Sequence, residues 1–172
     1  VKTYSFGADV EYAIVPNKNG RLDLDALKTA LSAGVASLIL QSPNYYGAIE
    51  DVPAIAGLVH AAGAKLVLRM NPTAMALLSS PGEMGAEVAI GNGQPLGIPL
   101  SFGGPFRGFM ACKKDRVRKL PGRIVGQTTD AQGRRCFVLT LQAREQHIRR
   151  EKASSNICSN QALCALTAAA YC

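Results

Sequence analysis

Residues 35–72 read VASLILQSPNYYGAIEDVPAIAGLVHAAGAKLVLRMNP, and their pattern decides the fold. Val35 to Leu40 is a short apolar run of the kind that forms a buried strand. The polar stretch Gln41-Ser42-Pro43-Asn44-Tyr45-Tyr46-Gly47 follows as a loop. Asp51 then opens a helix, with Pro53 in its first turn, where a missing N–H is tolerated, and Gly63 beyond its end. Ile55, Leu58, Val59 and Ala62 give that helix its apolar face. Lys65 to Met70 is a second buried strand. Asn71-Pro72 forces a turn, because the residue before a proline avoids the α conformation. Strand, helix, strand in this order is the unit from which parallel sheets are built.

Working outward, the same alternation continues. Upstream, Val10 to Val15 reads as a further short strand, closed by the turn cluster Pro16-Asn17-Lys18-Asn19-Gly20. Asp23 and Asp25 open a helix whose Leu24, Leu27 and Leu31 recur at helical spacing and which ends before Gly34. Downstream, a short helix near Ala74 to Leu78 precedes Ser79-Ser80-Pro81-Gly82, and Glu87 to Ile90 is another strand. The predicted class is α/β, a mainly parallel sheet with crossover helices. In such sheets ligands sit off the carboxyl ends of the strands. The loops leaving those ends are Gln41 to Gly47, Asn71-Pro72 and Gly91 to Gly97, all polar or Gly-rich. Beyond residue 98 the expected elements are strands at Gly108 to Cys112 and Cys136 to Leu141, a polar helical stretch at Gln142 to Lys152, and an apolar helix from Gln161.

The chain has 172 residues and is 48% hydrophobic, enough to bury a core and too apolar for a disordered segment. Its longest apolar runs, Gly34 to Leu40 and Ala162 to Cys172, fall short of the roughly 20 residues that cross a bilayer. Val1 to Gly7 has no apolar h-region of a signal peptide. The chain opens without Met and stops within the apolar run Ala165 to Cys172, so both ends are expected to be cuts through a longer protein.

Net charge is +7, unevenly placed. Residues 1–106 hold 6 basic and 8 acidic side chains, whereas residues 107–152 hold 13 basic and 4 acidic. Clustered basic residues raise nucleic acid as a partner. That segment, past its first residue, carries only Phe109 and Phe137 to stack bases, and no known nucleic-acid-binding pattern is present. A small anionic ligand or an acidic partner protein fits better. The alternative of a purely binding, non-catalytic basic module for an acidic protein or nucleic acid stays open at this point. The cysteines Cys112, Cys136, Cys158, Cys164 and Cys172 are odd in number and scattered, with no CxxC pair. They predict buried thiols in a reducing, cytoplasmic setting rather than a zinc site.

Gly91-Asn92-Gly93-Gln94-Pro95-Leu96-Gly97 is spaced GxGxxxG rather than GxGxxG, so a dinucleotide loop is not indicated. Gly103-Gly104-Pro105 suits either a turn between strands or backbone N–H groups offered to an anion. On the Gln142 to Lys152 stretch, Glu145 and Arg149 pair at i,i+4. His147 and Glu151 stand one turn apart, but two candidate ligands are too few for a metal, and none is predicted. His60 is expected at the surface or its boundary.

Three stretches carry a resemblance: Gln41 to Asp51 (QSPNYYGAIED), Gly93 to Pro105 (GQPLGIPLSFGGP) and Thr140 to Cys158 (TLQAREQHIRREKASSNIC), with Pro121 to Gly126 (PGRIVG) of the same pattern. Together they resemble the P-protein of the glycine cleavage system, and specifically subunit 1 of its two-subunit form. The resemblance implies an aspartate-aminotransferase-like fold, that of pyridoxal phosphate enzymes of fold type I. Residues 1–172 would be part of its single large domain, with a basic interface-type segment, 107–160, leading into a truncated helix. It also implies pyridoxal-phosphate-dependent decarboxylation of glycine, with aminomethyl transfer to the lipoyl group of the H-protein, in a heteromer with a lysine-bearing subunit 2. This sequence departs from the pattern at two places. The position of the Schiff-base Lys is occupied by Gln94, which cannot form an imine, and the position of the Asp that serves the pyridine nitrogen by Asn71. The chain alone is therefore expected to be inactive, with the cofactor bound covalently by the partner. The positions that the resemblance assigns to cofactor binding are Asn71, Gln94, Ser101, Gly103 and Gly104. Arg144, His147, Arg149 and Arg150 are assigned to an anion or subunit contact.

Overall fold

The computed structural model describes residues 2–121, 124–140, 151 and 161–172. After a short helix, α1 (Lys2–Ser5), a two-stranded hairpin joins β1 (Asn17–Lys18) to β2 (Arg21–Leu22). Asn19 and Gly20 both take positive φ at its turn, +54° and +74°. That pair suits the twist of a tight hairpin. Val10 to Val15 forms no strand, contrary to expectation. An apolar run becomes a strand only when a neighbour accepts its hydrogen bonds, and no strand of the sheet does so here.

The main sheet has the order β3-β4-β5-β6, with β3 (Ser37–Gln41), β4 (Lys65–Met70) and β5 (Val88–Asn92) parallel and β6 (Gly108–Cys112) antiparallel to β5. Helices α2 (Leu24–Leu31) and α3 (Val52–Ala61) supply its cover. Each starts at an aspartate. Asp23 Oδ1 accepts from the N–H groups of Asp25 and Ala26, and Asp51 Oδ1 from that of Ala54. These bonds satisfy amides that the first turn leaves without partners.

One face of the sheet makes the core. Leu66 and Leu68 are fully buried on the central strand, against Leu27 and Leu31 of α2 and Val52, Ile55, Ala56 and Val59 of α3. Each of the leucine, isoleucine and valine side chains contributes about 1.5–3 kcal/mol on leaving water. On the opposite face Ile39 is 56% and Met110 48% exposed. The strand runs are thus buried mainly on one side.

Past the sheet, the basic stretch makes a 3-10 helix (Lys114–Lys119). The hairpin β7 (Ile124–Thr129) and β8 (Arg135–Thr140) comes next. Helix α4 (Ala162–Tyr171) buries Cys164 and Ala168, and its Tyr171 ring lies against Gly97, where a Cβ would come within 2.9 Å. Of the thiols expected to be buried, only Cys164 is buried among the described residues. Cys112 and Cys136 are half-buried and Cys172 is exposed. No helix of the described residues is long and apolar enough to cross a membrane.

Candidate functional site

The carboxyl ends of β3, β4 and β5 enclose a cavity of about 330 Å³, lined by residues of all three loops that leave those strands. Gln41, Pro43 and Asn44 come from the first strand end, Arg69, Met70, Asn71 and Ala74 from β4 and the turn after it, and Asn92 and Pro95 from the third. The size is within the range of small-molecule sites. Among the described residues Arg69 is the only charged one in the lining.

The first loop is held rigidly. Asn44 Oδ1 accepts from the N–H groups of Tyr46 and Ala48, and its Nδ2 donates to the Gly20 carbonyl and to Glu50 Oε1, both at 2.7 Å. Glu50 is buried and also accepts from the Leu22 N–H, while its own N–H donates to Ser42 Oγ. Asn44 and Glu50 thus tie the loop to the β1–β2 hairpin. The loop presents Tyr45 and Tyr46 outward, with ring centroids 5.5 Å apart in a T-shaped pair.

The remaining polar side chains share one arrangement. Arg69 Nη1 donates to Gln41 Oε1 at 2.5 Å across the β3–β4 pair. Asn71 Oδ1 accepts from the N–H and hydroxyl of Thr73, capping the 3-10 helix Pro72–Ala76. The short helix expected near Ala74 to Leu78 is this 3-10 turn, which begins two residues earlier. Asn92 Oδ1 accepts from the Gln94 N–H at 2.9 Å. In each amide the oxygen is engaged and the NH2 group is the end left over.

Of the five positions expected to bind a cofactor, Asn71 lines the cavity. Gln94 stands in the chain between the lining residues Asn92 and Pro95, and its Nε2 points to the Pro99 carbonyl at 3.4 Å. Ser101, Gly103 and Gly104 are not among the residues lining the cavity. Their backbone, with Phe102, runs through consecutive positive φ values, so the segment is a turn leading to β6. Arg144, His147, Arg149 and Arg150 lie outside the described residues. Arg69, Gln41 and Asn92 were missed as site residues, although the strand-end rule pointed to their neighbourhood.

A second polar cluster lies at the other end of β5. Glu87, almost fully buried, accepts from the Leu66 N–H at 2.8 Å and from His60 Nε2 at 3.0 Å. Burial pushes its carboxyl up, but the Leu66 N–H, His60 and the charge of Lys113 outweigh it and hold the pKa below the ordinary glutamate value. His60, expected at the surface or its boundary, is half of this pair, with its side chain 38% exposed. Among the described residues no group of three His, Cys, Asp or Glu side chains is arranged to hold a metal.

A family model described as glycine cleavage system P-protein matches residues 1–172. The chain belongs to the P-protein family. Relatives named probable glycine dehydrogenase (decarboxylating) subunit 1, from Desulforamulus reducens and from Moorella thermoacetica, are each 55% identical over 171 residues, 99% of this chain. The chain spans only 38% of each of those relatives. The crystal structure of a glycine decarboxylase (P-protein) in inhibitor-bound form superposes with a TM-score of 0.88 at 44% identity, over 99% of this chain and 38% of that one. An apo cysteine desulfurase from Thermococcus onnurineus aligns with a TM-score of 0.55 at 16% identity, over 81% of this chain and 34% of that one, a likeness of fold alone. The described residues hold a mixed, mainly parallel sheet with helices.

Proposed function

We propose that this chain is part of subunit 1 of a glycine decarboxylase, in which glycine is decarboxylated with pyridoxal phosphate and its aminomethyl group passes to the lipoyl group of an H-protein. The observation that carries the reading is the match to the P-protein family over all of residues 1–172, with relatives named subunit 1 at 55% identity. Residues 1–172 then belong to one aspartate-aminotransferase-like large domain, whose remainder corresponds to the uncovered length of those relatives.

The cavity residues do not fit a covalently held pyridoxal phosphate. Among the described residues no lysine lines the cavity, and Asn71 stands at the strand end with an amide rather than a carboxylate. Gln94, in the next turn, has no amine with which to form an imine. The chain is accordingly the lysine-lacking partner, and the covalent chemistry belongs to a lysine-bearing subunit 2. The basic segment 107–160, with Arg144, His147, Arg149 and Arg150, supports a role in the contact between the two.

Reconstitution tests this. Release of labelled CO2 from carboxyl-labelled glycine is expected only when the intact protein carrying this sequence is combined with its lysine-bearing partner. Arg149→Glu or Arg150→Glu is expected to weaken assembly or turnover. Turnover by the isolated protein would contradict the division of labour, and unchanged activity of both variants would contradict the interface assignment.

A further inference from the structure

We infer that the cavity at the carboxyl ends of β3, β4 and β5 is a reversible binding site for a small oxyanion, a carboxylate or a phosphate, recognised by Arg69, Asn71, Asn92 and Gln41. The inference rests on which end of each polar group is free. The oxygen of Gln41 is engaged by the Arg69 guanidinium, that of Asn71 by Thr73, and that of Asn92 by the Gln94 N–H. Each of those partners is a donor, so the orientation of all three amides is fixed by chemistry.

Among the described residues none of the three NH2 groups has a hydrogen-bond partner, and no carboxylate pairs with Arg69. The fourth lining amide, Asn44, differs. Both of its ends are engaged, its NH2 by Gly20 and Glu50, so it shapes the wall and offers nothing. The lining therefore offers the Arg69 guanidinium and three free amide NH2 groups, with no acidic residue beside them. A cation would meet the Arg69 charge and no carboxylate in this lining. An acceptor-only anion matches all of these free donors, and charge-assisted bonds of this kind are the stronger ones. A lining with one positive charge and no carboxylate attracts an anion from solvent by the same logic.

The inference shares its cavity with the functional reading and rests on it in one respect, that no covalent bond holds a ligand here. Two substitutions separate recognition from structure. Asn71→Asp and Asn92→Asp keep the oxygen that accepts from Thr73 and Gln94 and turn the free donor into a negative charge. Isothermal titration of the full-length protein with sodium acetate and with inorganic phosphate, at fixed ionic strength, gives the readout. Saturable binding of at least one of them is expected with a Kd of about a millimolar or below. Which of the two binds more tightly tells carboxylate from phosphate. Asn71→Asp, Asn92→Asp and Arg69→Gln are each expected to weaken it by about tenfold or more. The aspartate variants are expected to keep the thermal midpoint of the parent. No saturable binding of either anion, or binding unchanged in both aspartate variants, overturns the inference. Either result would leave assembly with subunit 2 untouched, whereas failed assembly with intact anion binding would count against the functional reading alone.

Discussion

Glu87 sits in the loop before β5 and is bonded to a backbone amide of the neighbouring strand, so a side chain there takes the place of a ladder rung. Its carboxyl is held below the ordinary glutamate value despite burial, because the Leu66 N–H and His60 favour the ionised form. A depressed folded pKa means that the unfolded chain takes up protons first as pH falls. The network is thus fully stabilising above the ordinary glutamate range and is lost as pH falls through the depressed value. Glu87→Ala, which strands the Leu66 amide, is expected to cost about 1–3 kcal/mol at neutral pH. Urea unfolding at neutral pH and at pH values below the glutamate range checks both, since the difference between parent and variant must shrink on acidification. Gly91 is constrained by a different force. A Cβ there would collide with the Phe109 ring and lie 2.5 Å from the Met70 carbonyl oxygen. Gly91→Ala is expected to destabilise by about 1–3 kcal/mol through overpacking, read as a lowered thermal midpoint. The groups that crowd Gly91, the Phe109 ring and the Met70 carbonyl, belong to the chain itself. His60 was not legible as a partner of Glu87, because the pairing spans two elements that meet only in the fold.

Elements were legible where a local signal and a global partner agree. Asp23 and Asp51 mark two helix starts by a purely local mechanism, and β4 occupies the same residues, Lys65–Met70, that its apolar pattern indicated. Asp23→Ala removes two capping bonds and is expected to cost about 1 kcal/mol, measurable by chemical denaturation, with Asp23→Asn largely restoring it. Where the decision belongs to a distant partner, local pattern misleads. Val10 to Val15 has strand character but no neighbour to pair with, whereas Ile124–Thr129 has little apolar content and is a strand because Arg135–Thr140 pairs with it. The antiparallel direction of β6 was equally unreadable, since nothing in residues 108–112 encodes which way the chain arrives. The site divides along the same line. Loops at strand ends were indicated by topology, but Arg69 and Gln41 lie within strands, and only the register of β3 on β4 brings them together.

At the scale of the molecule, the described residues bury one face of a four-stranded sheet and leave Ile39 and Met110 substantially exposed on the other. The chain spans 38% of its curated relatives, so an interface or a further layer on that face is compatible with the family to which it belongs. The charge is segregated in the same sense, with the near-neutral sheet region preceding the basic segment that was first weighed against nucleic acid. On the proposed reading, no amine of this chain holds pyridoxal phosphate covalently. Borohydride reduction of the assembled enzyme after incubation with pyridoxal phosphate, followed by peptide mass spectrometry, tests it most directly. The expected result is one pyridoxyl label per complex, on a lysine of the partner subunit, and no stoichiometric label within this chain. Stoichiometric labelling of a single lysine here, Lys65 or Lys113 for example, would contradict it.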